Sequence, residues 1–184
     1  MVSHLSKLLA PSGWSSRLRK AMRKRIEASL ITVLRDAGFE PIGYPMFDEG
    51  PLPKKTNPFG VFRRRRDTVD NLVEILFDKY GYPEFRIAFG SAPHEGVLVW
   101  EKFVPLERMQ VAECPENYRL SSSKDAERPF GVLWPFQGVA SVEATVFSAR
   151  TLMPQMFEWF DTGKVGTHLW PTQNSPVHRI GENS

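Results

Sequence analysis

Apolar and polar side chains alternate with period two through Val73-Glu74-Ile75-Leu76-Phe77-Asp78 and again through Phe85-Arg86-Ile87-Ala88-Phe89, the spacing of a half-buried β-strand. Turn-forming residues bound both runs: Asp67-Thr68-Val69-Asp70 before the first, and Lys79-Tyr80-Gly81-Tyr82-Pro83 between them. With the strand that opens at Phe59, residues 59–90 read as a three-stranded antiparallel meander. Matching apolar faces sets the register. Phe77 should lie opposite Phe85, Ile75 opposite Ile87 and Val73 opposite Phe89. Across the first turn, Phe62 should face Ile75, Arg64 should face Val73, and Arg63 should face Glu74. One face then carries Phe62, Val73, Ile75, Phe77, Phe85, Ile87 and Phe89. The other mixes Glu74, Arg63, Arg65, Arg86 and Asp78 with Val61, Leu72, Leu76 and Ala88, and is expected to be only partly covered.

Helical periodicity flanks the meander on both sides. Leu18, Met22, Ile26, Leu30, Val33 and Leu34 recur at three- and four-residue spacing, with Ser15 or Ser16 as the expected N-cap and Gly38 closing the helix. A second stripe, Val142, Val146, Ala149, Met153, Met156, Phe157 and Phe160, predicts a helix over about 141–160 that Pro154 interrupts and Gly163 ends. Both helices should pack on the phenylalanine face. Residues 39–58 hold five prolines and read as a loop, anchored by Tyr44, Met46 and Phe47 and exposing Lys54 and Lys55. Gly96–Trp100 predicts a fourth strand whose two apolar faces leave its register open. Phe130–Trp134 is a candidate fifth, and the polar tail from 171 to 184 is expected to fray. The fold class that follows is α+β: an antiparallel meander of four to five strands in one domain over residues 1–170, with both helices on one face.

At 184 residues the chain can bury a core without a metal or disulfide staple. Cys114 is its single cysteine, which favours a reducing compartment. The N-terminal stretch lacks the apolar core of a signal peptide, and no run approaches the roughly 20 apolar residues of a membrane span. A cytoplasmic protein that does not meet membranes is the expectation. Net charge is only +3, but residues 1–66 hold 14 basic against 5 acidic residues and residues 67–184 hold 10 against 16. Such a split means internal pairing or an anionic partner.

Motifs for phosphate loops, dinucleotides and nucleophile elbows do not occur. His4, His94, His168 and His178 show no ligand spacing, so no metal or cofactor is implied. His94-Glu95 is the one general-base candidate, and Cys114 has no basic neighbour in sequence to activate it. More informative is Arg63-Arg64-Arg65-Arg66. A strand puts two of these arginines on each face, and guanidinium groups clamp carboxylates or phosphates at two points. Arg63, Arg65 and Arg86, with Glu74 beside them and Trp100 as an aromatic anchor, form the candidate binding surface. Structural pairing with Glu74, Asp67 and Asp70 is the competing explanation.

The segment from Val61-Phe62-Arg63-Arg64 through Gly90, preceded by a helix ending in Ala37-Gly38-Phe39, resembles a group of uncharacterised bacterial α+β domains. The resemblance covers about half the chain, supports the fold and transfers no catalytic residue. The expectation is a non-catalytic binding or protein-interaction module that meets an acidic protein or anionic ligand. Nucleic-acid binding along the basic helix face, and an enzyme or small-molecule site beside the proline-rich segment, are the alternatives.

Overall fold

A computed structural model describes residues 13–43, 46–47, 50–51, 56–132, 138–172 and 177–178. The N-terminal stretch, the anchoring side chains Tyr44, Met46 and Phe47, Lys54, Lys55, Leu133–Trp134 and most of the polar tail lie outside them. Helices are α1 (Trp14–Asp36) and α2 (Val139–Thr162). Strands are β1 (Glu40–Gly43), β2 (Met46–Phe47), β3 (Gly50–Pro51), β4 (Val61–Arg65), β5 (Val69–Phe77), β6 (Glu84–Pro93), β7 (Val97–Val99), β8 (Lys102–Val104), β9 (Glu116–Leu120), β10 (Phe130–Gly131), β11 (Leu169–Pro171) and β12 (Val177–His178). The class is α+β with an antiparallel sheet. The sheet is larger than the expected four to five strands: seven join it, in the order β1-β4-β5-β6-β9-β11 with β10 also on β6.

The meander is its centre. Phe77 pairs with Phe85, Ile75 with Ile87 and Val73 with Phe89, as face matching requires. Across the first turn the register differs by two residues: Phe62 faces Val73, Arg63 faces Leu72, and Val61, not Arg63, faces Glu74. The cause is a tighter turn. Arg66 N–H bonds to the Val69 carbonyl at 3.0 Å, so only Asp67 and Thr68 form the loop and β5 starts at Val69. A shift of two keeps every side chain on its face, so the apolar pattern was satisfied by either pairing.

Both helices cover the phenylalanine face. Leu18, Met22, Ile26, Leu30 and Leu34 of α1 and Val142, Val146, Ala149, Met153 and Met156 of α2 share one core with Phe62, Val73, Ile75, Phe85, Ile87 and Phe89. Helix α1 is capped by Gly13 with no side-chain bond, not by Ser15 or Ser16. The Ser15 hydroxyl donates instead to the Gly81 carbonyl, and Arg19 donates to the Asp78 carbonyl at 2.6 Å; both tie α1 to the β5–β6 turn. Gly38 (φ 83°) and Gly163 (φ 74°) close the two helices in the left-handed region. Pro154 does not interrupt α2. It lies on the exposed side, where the carbonyl left without a donor is solvated while the opposite stripe holds the helix on the sheet.

The second face is not half open. Residues 97–114 fold over it, burying Val97, Leu106, Met109, Val111 and Cys114 against Val61, Leu72, Ala88 and Ala92. Two single-turn helices, Leu106–Arg108 and Val111–Glu113, make the cover. The chain passes so close to β6 that a Cβ at Gly90 would lie 2.6 Å from the Glu116 carbonyl and 2.8 Å from Cys114 Cβ. The expected fourth strand is shorter than Gly96–Trp100 and leaves the main sheet: β7 pairs with β8 and β12 in a separate three-stranded sheet. Other strands come from stretches without a strand pattern. Strand β1, which carries Pro41, takes the edge beside β4, where a missing amide is tolerated. Leu169–Pro171, at the head of the expected tail, pairs with β9.

Candidate functional site

The four arginines of 63–66 have four different environments. Arg64 is sunk on the helix face, its guanidinium 4.9 Å from the Phe39 ring and 5.6 Å from the Phe160 ring. Its Nη2 is 3.1 Å from Asp161 Oδ1, near the end of α2, and Arg66 binds the same oxygen. Burial, and then the neighbouring Arg66 charge, lower the Arg64 pKa. On the second face, Arg65 Nε lies 3.9 Å from Asp70 Oδ1, while Arg63 stands between Leu72 and Glu40 in the register. Arg86 is elsewhere. Arg63 projects from the row of Gly90, whereas Arg86 is four residues further along β6, about 13 Å along the strands and about 10 Å across them. Arg63, Arg65 and Arg86 therefore do not converge. Arg86 instead joins Arg119 of β9 on one carboxylate, Glu127 Oε1, at 2.7 and 2.9 Å.

Glu74, expected beside the arginines on an open surface, is 2% exposed. Its Oε1 accepts from Asn57 Nδ2 at 3.0 Å and its Oε2 from the Val111 amide at 3.2 Å. No cation approaches it among the described residues. Burial pushes its pKa up to about 7, the Val111 hydrogen bond opposing and nearby Glu113 adding to the rise. Glu74 thus pins the cover of residues 97–114 to the sheet through the Val111 amide.

Trp100 is in the opposite situation. It is 67% exposed, at the tip of the hairpin in which Val99 pairs with Lys102. Trp100 and Glu101 are the two loop residues, and their φ angles are 49° and 63°. A two-residue loop with both φ positive is a type I′ turn, for which Asn-Gly is the favoured sequence. Trp100-Glu101 holds that geometry at a conformational cost of about 1–2 kcal/mol per residue, and Phe103, 49% exposed, flanks it.

The two residues with catalytic potential are both tied down. His94 Nδ1 lies 2.8 Å from Asp70 Oδ2 and Nε2 lies 3.2 Å from the Asp67 carbonyl. Both partners are acceptors, so the arrangement is complete when both ring nitrogens carry protons. The Asp70 hydrogen bond first, and the Asp67 carbonyl second, raise the pKa above the ordinary 6.5. A raised folded-state pKa contributes stability below pH 6.5 that is lost as pH climbs through the raised value. His94→Ala should therefore cost more stability at pH 6 than at pH 9 in urea titrations; equal losses would mean that the ring acts by packing alone. Cys114 is fully buried, and burial followed by the Glu74 and Glu113 charges holds its thiol well above the usual range. The expected result with a thiol reagent at pH 8 is no labelling of folded protein and one equivalent after denaturation; rapid labelling of folded protein would overturn the buried assignment.

Arg119, Glu127, Asp161 and the Trp100-Glu101 turn were not legible as site features. The symmetric apolar runs Val97–Val99 and Phe103–Val104 are the only signal that could have placed a turn between them, because neither glycine nor asparagine marks it. No helix of the described residues is long and apolar enough to cross a membrane. Comparisons with family models, with curated proteins and with solved structures found no match.

Proposed function

We propose that this protein is a non-catalytic interaction module whose main contact is the β7–β8 hairpin tip, with Trp100 as the anchor and Phe103 beside it. One observation carries the reading: a strained type I′ turn displays a tryptophan to solvent where Asn-Gly would form the same turn without strain. Exposed tryptophan is the side chain most enriched among residues that dominate protein interfaces. Capture of both His94 nitrogens and burial of Cys114 support binding over catalysis. On the second sheet face Arg65 and Arg86 pair with Asp70 and Glu127; Arg86 and Arg119 remain partly exposed and add a basic rim suited to an acidic partner.

A photoreactive tryptophan analogue at position 100, which keeps the indole, is expected to crosslink one dominant protein in cell extract, and the same analogue at Tyr80, itself 74% exposed, is not. Identical crosslinked products from both positions would refute the reading. A second reading, nucleic-acid binding, draws on the exposed Arg17, Lys20, Lys24 and Arg25 of α1. It requires retention on mixed DNA and RNA that falls steeply between about 50 and 200 mM salt.

A further inference from the structure

Two buried donors on adjoining strands have no acceptor among the described residues: Arg64 Nε and Asn71 Nδ2. Arg64 and Asn71 are directly paired across β4 and β5 on the face that carries the helices. Asn71 is 1% exposed, and Ser91 of β6 donates to its Oδ1 at 2.9 Å, so its oxygen has a partner and its NH₂ does not. Buried donors of this kind are rarely left unmet in a folded protein, and those of a guanidinium least of all.

The same corner already holds an anion, and it belongs to the protein. Asp161 Oδ1 receives Arg64 Nη2 at 3.1 Å and Arg66 Nη2 as well. Asp161 stands one residue before the end of α2, where unpaired carbonyls disfavour a carboxylate, and its side chain is 47% exposed. Among the described residues only the two arginines hold it, against its own helix, so it can leave without disturbing the core. The arginine beneath it cannot move as freely, because Arg64 is stacked on Phe39 and Phe160. The one acidic residue at the far end of this row is Glu116, opposite Ser91.

We propose that Arg64, Arg66 and Asn71 form a binding site for a phosphate group, and that Asp161 is its displaceable internal occupant. Phosphate is favoured over a second carboxylate by the donor set. Arg64 Nε, Arg64 Nη2, Arg66 Nη2 and Asn71 Nδ2 come from three side chains, on β4, just past its end and on β5, and four donors suit the three oxygens of a tetrahedral group better than the two of a carboxylate. Two guanidinium charges also match the charge of a phosphate monoester near neutral pH. The site is separate from the Trp100 hairpin and stands or falls independently of it.

Calorimetric titration at pH 7.5 with inorganic phosphate and with phenyl phosphate tests the assignment. Wild-type protein is expected to bind weakly, Asp161→Asn at least about tenfold more tightly, and Asp161→Asn with Arg66→Gln no better than wild type. Arg66 is exposed, so Arg66→Gln alone should keep the wild-type melting temperature and lose phosphate binding; that arm decides even if Asp161→Asn fails to fold. Equal binding of both compounds identifies the phosphate group itself as the ligand, and binding of phenyl phosphate alone identifies an ester. No binding by wild type and Asp161→Asn, or a gain that survives Arg66→Gln and so reflects net charge only, would overturn the proposal.

Discussion

Glu74→Gln is expected to stabilise the protein at pH 8 by about 2 kcal/mol and to leave its stability at pH 4 almost unchanged. The folded protein keeps the Glu74 proton up to a pKa of about 7, against an ordinary value of 4.5. Between those values the native state binds more protons than the unfolded chain, so stability falls as pH rises through the window and levels off above it. A shift of that size corresponds to about 3 kcal/mol at most. Glutamine keeps an acceptor for the Val111 amide and carries no charge to desolvate. Its NH₂ can also meet Asn57 Oδ1, which is buried and has no partner among the described residues, once the Asn57 amide rotates. Some of the gain is lost because Asn57 Nδ2 then gives up its own acceptor. Urea denaturation of both proteins from pH 4 to 9 measures the difference. An equal change at pH 4 and pH 8 would show that Glu74 acts through shape rather than charge.

The double change Trp100→Asn with Glu101→Gly should strengthen the fold and destroy binding together. Both residues have positive φ in a two-residue loop, where Asn-Gly is the least strained pair. Relief of strain should raise stability by about 2 kcal/mol, taking about 1 kcal/mol for each residue. Loss of the exposed indole should weaken the partner complex by about 2 kcal/mol or more, roughly thirtyfold, as removal of a dominant interface residue does. Thermal unfolding measures the first effect, and yield of the crosslinked species from a second reporter position at Phe103 measures the second. Greater stability with unchanged binding would leave the strained turn without a functional explanation. A trade of stability for activity is the behaviour expected of a site selected for contact rather than for folding.

The pairing of β5 with β6 and the assignment of each side chain to a face were readable because alternation is local, and a one-residue slip would have buried Arg86 and exposed Phe85 and Phe89. The stripes of α1 and α2 were readable for the same reason, with Met22 and Met153 each falling on a 3.6-residue period. The two-residue difference across the β4–β5 turn was not. An even shift keeps Phe62 inside and Arg63 outside, so only the length of the turn distinguishes the two registers. Strand β9 and its partner β11 carry no alternation strong enough to announce them.

Pattern along the chain settled which side of the sheet each residue occupies and that helices cover the phenylalanine side. It could not settle who stands opposite. Asp161 reaches Arg64 from 97 residues away and Glu127 reaches Arg86 from 41, and both contacts exist only once the helix and the 121–128 loop have docked. Folding of residues 97–114 over the second face likewise turned Glu74 from a presumed surface charge into a buried, proton-holding carboxyl. Periodicity is a property of neighbouring residues, whereas burial, ion pairing and pKa are set by whichever distant segments close over a side chain.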